Sequence, residues 1–202
     1  MANVQAKVPK AFINVRDIGF ALLTADEVTG TTYTKVTQTR GLQKISVETG
    51  GELKEAYADG TIIEAGNTDG DGKVGVTMHA FPQEIRELIF NEVADDKGIY
   101  SEVSGKQNNY VAMWFKRERR DGTYQIIGLP KVMFSDPKLE GETKKNDWDF
   151  SSEESEGKAM HRISDRKRKL IWDSALTAGT EADFFTELLK GAYVAADPLQ
   201  TV

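Results

Sequence analysis

Cysteine is absent from this 202-residue chain, and histidine occurs only twice, as His79 and His161. The lack of cysteine excludes disulfide frameworks, thiolate metal sites and cysteine nucleophiles. No apolar run approaches the roughly 20 residues that a membrane-spanning helix requires. The first residues also lack the apolar stretch of roughly 7 to 15 residues that a secretory signal contains. We therefore expect a protein that is neither exported nor inserted in a membrane.

Basic residues are fewer than acidic residues. The chain has 26 lysines and arginines against 32 aspartates and glutamates, which gives a net charge of −6. Residues 1–100 contain ten of the basic and fifteen of the acidic residues, so five of the six excess negative charges lie there. Proteins that bind nucleic acids do so largely by neutralising phosphates with basic side chains, so the net negative charge argues against nucleic-acid binding. The length and the near-average composition predict a single domain over residues 1–202.

Eighteen glycines, many of them in Asp-Gly, Thr-Gly or Gly-Gly pairs, separate short runs rich in Val, Ile, Thr, Tyr and Phe. This pattern is typical of a mainly β protein. In the run 73–80, Val74, Val76, Met78 and Ala80 alternate with residues suited to solvent, so we expect these four side chains to face the core. The predicted strands cover residues 12–24, 33–36, 42–49, 52–58, 61–65, 73–80, 99–103, 110–117, 123–134, 152–163 and 169–172.

Residues 110–134 carry the clearest hairpin pattern. Both alternating sets of side chains in residues 110–116 are largely apolar, which predicts a strand that is covered on both faces. Asp121-Gly122 then turns the chain, and residues 124–134 return. Pro130 in the returning strand has no N–H to donate, so we predict that it lies at a sheet edge or in a bulge.

Two amphipathic helices interrupt the strands. The first is predicted over residues 82–91, with Pro82 in the first turn and apolar side chains at helical spacing. The second is predicted over residues 180–190, where Thr180 and Asp183 resemble a capping box and a glycine follows as the stop. We expect the apolar stripe of each helix to pack on the sheet.

Several polar segments are too long for simple turns. We interpret residues 24–40, 49–60 and 134–157 as arms that contact neighbouring subunits. Within the last of these, residues 136–157 form a polar arm or loop, and residues 195–202 are expected to form a loose C-terminal tail. The arm contains an acidic cluster made of Asp147, Asp149, Glu153, Glu154 and Glu156.

Few residues are arranged for chemistry. Residues 67–72 place oxygen ligands as in the first half of an EF-hand loop, but Met78 stands where the closing glutamate should be, so a glycine-rich turn explains the segment. His161, Ser164 and Asp165 are the residue types of a serine triad, but they crowd into five positions without a nucleophile elbow. We predict no catalytic residues, no bound cofactor or metal, and no enzymatic activity.

Two basic clusters remain, at residues 116–120 and 166–169. Either cluster could contact an anionic surface or nucleic acid, or could simply be solvated. The acidic cluster offers a third possibility, which is a contact within one subunit or between two. If the clusters dock between subunits, assembly should weaken at high salt.

Taken in order, several segments resemble the major tail proteins, or tail tube proteins, of long-tailed bacteriophages with non-contractile tails. The resemblance covers most of the chain, and its most specific piece is the hairpin of residues 110–135. The segments are Ala-Leu-Leu-Thr at 21–24, Tyr-Ala-Asp-Gly at 57–60, the alternating valines of 74–78 that lead into the first helix, Tyr-Val-Ala-Met-Trp-Phe-Lys at 110–116, Asp-Gly-Thr-Tyr at 121–124, Lys-Val-Met-Phe-Ser at 131–135 and Glu-Thr-Lys at 142–144.

The resemblance implies a β-sandwich or barrel of the tail-tube type with one flanking helix. It implies that six subunits close a ring and that stacked rings form a conduit for DNA ejection. It further implies partners among the tape measure, tail terminator and distal tail proteins, assembly in the host cytoplasm and a final location in the virion tail. An acidic lumen would suit such a conduit, because DNA must slide past its wall without binding. Family members often differ where this chain has residues 180–202.

Two other functions fit the sequence. The chain could be a different virion component, such as a tail terminator, a head-tail joining protein or a distal tail protein, and copy number in the virion would separate these from a tube subunit. It could also be a β-sandwich that binds carbohydrate or protein ligands, with Trp114, Trp148 and Trp172 as a sugar platform.

Overall fold

The computed structural model describes residues 10–58, 61–67, 70–100, 105–138, 152–176 and 179–191. They form ten strands and two helices, which confirms a mainly β protein. The strands are β1 (Phe12–Glu27), β2 (Gly30–Thr39), β3 (Leu42–Glu48), β4 (Leu53–Ala58), β5 (Thr61–Asn67), β6 (Gly72–Met78), β7 (Tyr110–Arg119), β8 (Tyr124–Phe134), β9 (Glu153–Ala159) and β10 (Leu170–Asp173). The helices are α1 (Gln83–Phe90) and α2 (Glu181–Leu189).

Eight of the strands belong to one antiparallel sheet. Its order is β2-β1-β7-β8-β9-β6-β3, with β10 paired to β8 beside this path. Strands β4 and β5 form a separate two-stranded hairpin between β3 and β6 in the chain. Two of the seven pairings in this sheet are hairpins, β1–β2 and β7–β8, whereas β1–β7 and β6–β9 join strands that lie far apart in the sequence.

Strand β7 is buried on both faces, as its sequence predicts. Val111, Met113 and Phe115 face a first apolar cluster, and Ala112 and Trp114 face a second one. Helix α1 packs in the first cluster and α2 in the second. A strand with apolar residues at every position can be accommodated only where the sheet has a core on each side.

The sheet curves around the first cluster. Strands β1 and β3 contact each other across it, although four strands separate them in the sheet order. Ile45 and Val47 of β3 lie partly buried against this cluster, which contains Ile18 and Phe20 of β1. The first core is thus enclosed by a rolled sheet, whereas the second lies between the sheet and one helix.

Both helices form where the sequence predicts them. Helix α1 starts after Pro82, which is its N-cap, and ends at Asn91 in the left-handed conformation with φ 54°. Helix α2 has the predicted capping box, in which Thr180 and Asp183 exchange side-chain and backbone hydrogen bonds. The helix ends at its C-cap Lys190, which has φ 51°, and Gly191 follows with φ +85°, a conformation that glycine adopts without a steric penalty.

Pro130 lies in a bulge near the middle of the sheet rather than at an edge. The β7–β8 register shifts between Val111 and Met113, which leaves an extra residue on β8. On the other side of β8, β10 pairs with residues 125–128 and β9 with residues 132–134. The proline therefore lies in the gap between two pairings, where the sheet requires no N–H donor.

Other predicted boundaries differ from the observed ones. The strand predicted at 99–103 is absent over residues 99–100, where Tyr100 makes a single bridge with Ala94, and residues 101–104 lie outside the described part. Strand β6 ends at Met78, so Ala80 is exposed rather than in the core. The predicted 152–163 strand ends at Ala159, although the N–H of Met160 still donates to the carbonyl of Lys131 on β8.

The polar segments also contain more strand than expected. Residues 24–40 form the end of β1 and all of β2, and the predicted polar arm 136–157 includes the first part of β9. Residues 139–151, which carry two members of the acidic cluster, lie outside the described part of the chain, as does the predicted tail at 195–202.

Candidate assembly surfaces

The main sheet ends in two open edges. Among the described strands, β2 pairs only with β1, and β3 pairs only with β6. An edge strand presents a row of backbone N–H and C=O groups that can pair with another chain. These two edges are therefore the first candidate surfaces for assembly.

The turn between β1 and β2 is firmly anchored at its base. Asp26 accepts a hydrogen bond from Lys131 Nζ at 2.7 Å and another from the backbone N–H of Ile163 at 2.9 Å. The hydroxyl oxygens of Thr31 and Ser164 lie 2.7 Å apart. Val28 at the tip is 82% exposed. The hairpin presents an apolar tip on a fixed base.

The β4–β5 hairpin, called here the arm hairpin (residues 53–67), is the second candidate surface. Its strands pair with each other and with no other strand in the described chain. Tyr57 and Ile63 are each 66% exposed. The Tyr57 hydroxyl donates to Glu55 at 2.6 Å, and this hydrogen bond raises the pKa of Tyr57. A hairpin that exposes two large apolar side chains is suited to contact another molecule.

A third surface is the outer face of β3, β6 and β9, called here the bare face. The strand register arranges its side chains in three rows that run across the sheet. One face of these strands points to the core and carries Val74, Val76 and Ala159. The side chains on the other face are exposed or half-buried. The rows are Lys44–Thr77–Glu154, Ser46–Gly75–Glu156 and Glu48–Lys73–Lys158.

Two of the three serine-triad residue types at 161–165 bond to other parts of the chain. The Ser164 hydroxyl lies 2.7 Å from the Thr31 hydroxyl, and the Asp165 carboxylate pairs with Arg162. No group of three or more His, Asp or Glu that could hold a metal occurs in the described ranges. Residues 68–69 of the EF-hand-like segment lie outside those ranges.

The basic cluster at residues 116–120 is largely committed to contacts within the subunit. Lys116 Nζ lies 2.9 Å from Glu181 Oε1 on α2. Arg119 forms a two-point pair with Asp173 of β10, and this pair holds the pKa of the carboxyl well below its usual range. Arg117 stacks over the Phe12 ring, 3.8 Å from its centroid. These residues join β7 to its neighbours rather than forming an open anion-binding patch.

The basic cluster at residues 166–169 is also partly engaged. Lys167 Nζ lies 2.5 Å from Glu187 Oε1, and Arg168 donates to backbone carbonyls at the base of the arm hairpin. In the acidic cluster, Glu153 accepts from Arg86 at 2.6 Å. Fewer charges of the basic cluster 166–169 and of the acidic cluster are therefore available for docking between subunits than the sequence alone indicates.

Arg162 is a buried cation that the sequence analysis missed. Its side chain is 0% exposed, and it bonds Asp165 at two points, at 2.9 and 2.5 Å. It also donates to the carbonyl of Leu188 at 2.8 Å, at the C-terminus of α2. Burial raises the pKa of the nearby Tyr33 to about 12. No local pattern marks this arginine, because its role depends on a helix that begins almost twenty residues later.

The tryptophans are mostly used for packing. Trp114 is 1% exposed and packs edge-on against Phe185, 5.4 Å between ring centroids. Trp172 is half-buried against Tyr124, at 5.7 Å. Trp148 lies outside the described residues. Because Trp114 is in the second core, it cannot line a sugar platform.

No family model matches the chain, and no curated protein matches it. None of the helices in the described part is long and apolar enough to cross a membrane.

Proposed function

We propose that this chain is a structural subunit of a bacteriophage tail tube, which assembles as stacked hexameric rings around a channel for DNA. The observation that carries the proposal is the pair of open edges, β2 and β3, at opposite ends of one large sheet. Pairing the β2 edge of one copy with the β3 edge of the next would continue the sheet from subunit to subunit. Such a head-to-tail contact can close into a ring, which would cover the β2 and β3 edges of every subunit.

The arm hairpin supports the second level of assembly. Its exposed Tyr57 and Ile63 are available to a neighbouring copy. Because β4 and β5 do not pair with the main sheet, a contact through the arm hairpin need not disturb the pairing of that sheet. In this proposal, edge pairing forms the rings and the arm hairpin contacts an adjacent ring. The resemblance of residues 110–135 to the tail tube family supplies the expected ring size and the phage context.

The bare face is the surface that we assign to the channel wall. Its three rows contain three lysines and three glutamates, so the local charge is balanced rather than acidic. Each lysine has a glutamate nearby in its own or an adjacent row, which reduces its attraction for phosphates. A wall of this kind would let DNA pass without holding it, although the charge differs from the acidic lumen expected from the net charge of −6.

Negative-stain microscopy of the purified protein tests the proposal. We expect rings or tubes of one diameter, with tubes that lengthen by stacking. Single rings without stacks would favour a tail terminator or joining protein, and monomers at high concentration would refute the assembly altogether.

A deletion separates ring formation from stacking. Replacing residues 52–69 with a short Gly-Ser link should leave the main sheet folded and give rings without tubes, because only the arm hairpin is removed. Deleting residues 136–157 is less informative, since it would remove much of β9 from the sheet. Normal tubes from the 52–69 deletion would refute the stacking role of the arm hairpin.

A further inference from the structure

The arm hairpin leaves the main sheet through a base that is rich in glycine. The residues there are Gly50 and Gly51 on one limb and Gly70 and Gly72 on the other. A Cβ on Gly50 would lie 1.9 Å from the backbone oxygen of Asp71, so the two limbs approach more closely than any side chain allows. Gly51 has a φ of +124°. Glycine permits this approach because it has no side chain. It also allows many backbone conformations, so the glycines alone do not fix the direction of the hairpin.

Arg168 bridges the two limbs at this base. Its Nη1 donates to the carbonyl oxygen of Gly70, and its Nη2 donates to that of Gly50 at 3.4 Å. The arginine lies two residues before β10, which is paired to the middle of the main sheet. A planar guanidinium can bond two acceptors at once in fixed geometry, which a lysine ammonium cannot do in the same way. Arg168 therefore bonds the base of the arm hairpin to the segment that leads into β10.

We propose that Arg168 is a positioning residue that fixes the direction of the arm hairpin and thereby sets how readily one copy joins another. The first part concerns the isolated subunit, and the second part rests on the proposed function. Binding is stronger when a contacting segment already holds its bound conformation, because less conformational entropy is lost on association. With the glycine-rich base, that order has to come from outside the hairpin.

The absence of cysteine allows a direct measurement of the arm direction. Two spin labels can be placed at E64C in the arm hairpin and I13C in β1, both exposed positions in a chain with no other thiol. The distance between them is measured by double electron–electron resonance in protein diluted with unlabelled copies. We expect one narrow distance distribution in the labelled parent, a broad one with R168A, and a partly broadened one with R168K. K169A is the matched control, because it removes an exposed neighbouring charge and should leave the distribution narrow.

The same four proteins without labels are then compared in assembly. We expect R168A to raise the protein concentration needed for tubes about tenfold, which corresponds to about 1.4 kcal/mol, and K169A to have a much smaller effect. Thermal unfolding should show that the sheet stays folded. If R168A does not fold, R168K carries the test.

Each result decides one part of the proposal. A distribution that stays narrow in a folded R168A or R168K protein overturns the positioning role. Broadening without any change in assembly overturns the link to copy joining. A parent protein that never forms oligomers refutes the proposed function, while the distance measurement still decides whether Arg168 fixes the arm.

Discussion

Replacing Asp165 with asparagine should destabilise the protein, because this carboxylate is the partner of a buried arginine. The carboxylate holds the guanidinium of Arg162, which is 0% exposed, through bonds of 2.9 and 2.5 Å. The same guanidinium donates to the carbonyl of Leu188 at the C-terminus of α2. D165N keeps the size of the side chain but removes its charge, and one amide N–H would point at another donor.

The magnitude follows from the burial of the arginine. Removing one partner of a buried ion pair costs about 3 to 5 kcal/mol, because the other charge stays buried without compensation. The Asp165 side chain is 20% exposed, so water can replace part of the lost contact, and we expect about 3 kcal/mol, the lower end of that range. For a chain of this length, such a loss lowers the melting temperature by about 6 to 12 °C.

Urea unfolding followed by tryptophan fluorescence measures this loss. Trp114 packs on Phe185 of α2, so its emission also reports whether the helix stays docked. The matched control is D96N, which makes the same chemical change at an exposed loop position and should alter the free energy of unfolding by less than about 0.5 kcal/mol. If D165N and D96N lose similar amounts, the buried pair does not stabilise the fold as argued.

Three further perturbations test other contacts. The hydrogen bonds from Arg119 lower the pKa of Asp173, so the ion pair stabilises the fold fully above the ordinary carboxyl pKa of about 4, and this stabilisation is lost as the pH falls below that value. Urea unfolding at pH 6 and at pH 3 measures the loss. G128V should loosen α2, because a Cβ there lies 2.8 Å from two of its side chains, whereas G66V has open space and should not, as near-ultraviolet circular dichroism would show. E153Q weakens bonds to α1 and to the Phe81 N–H, so thermal unfolding should show a lower melting temperature than for E154Q.

Local patterns predicted those elements whose environment is set by neighbouring residues. The capping box at Thr180 and the two apolar faces of β7 lie within a few residues of one another, so the sequence contains the whole signal. The bulge at Pro130 was half predicted, since the missing N–H excludes a regular central position but does not say which neighbours β8 acquires.

The charged residues that hold the structure together could not be predicted in this way. Arg168 bonds Gly50, which is 118 residues away, and Arg162 bonds the end of a helix beyond the next strand. In the sequence, Arg162 belongs to the strand predicted over residues 152–163 and Arg168 to the basic cluster at 166–169, and neither placement predicts these bonds. A long-range bond of this kind depends on the register of the whole sheet, and no spacing rule encodes it.

The three polar segments first interpreted as arms now differ in what they can contribute to assembly. Residues 24–40 are held in the main sheet and anchored at Asp26, so their role is restricted to the edge of β2 and one exposed tip. The described end of the segment 134–157 is β9, which is paired on both sides. The arm hairpin is different, because its strands pair only with each other within the described chain and its attachment depends on Arg168. Polarity alone marked all three segments, but strand pairing makes the arm hairpin the one to target when ring stacking is tested.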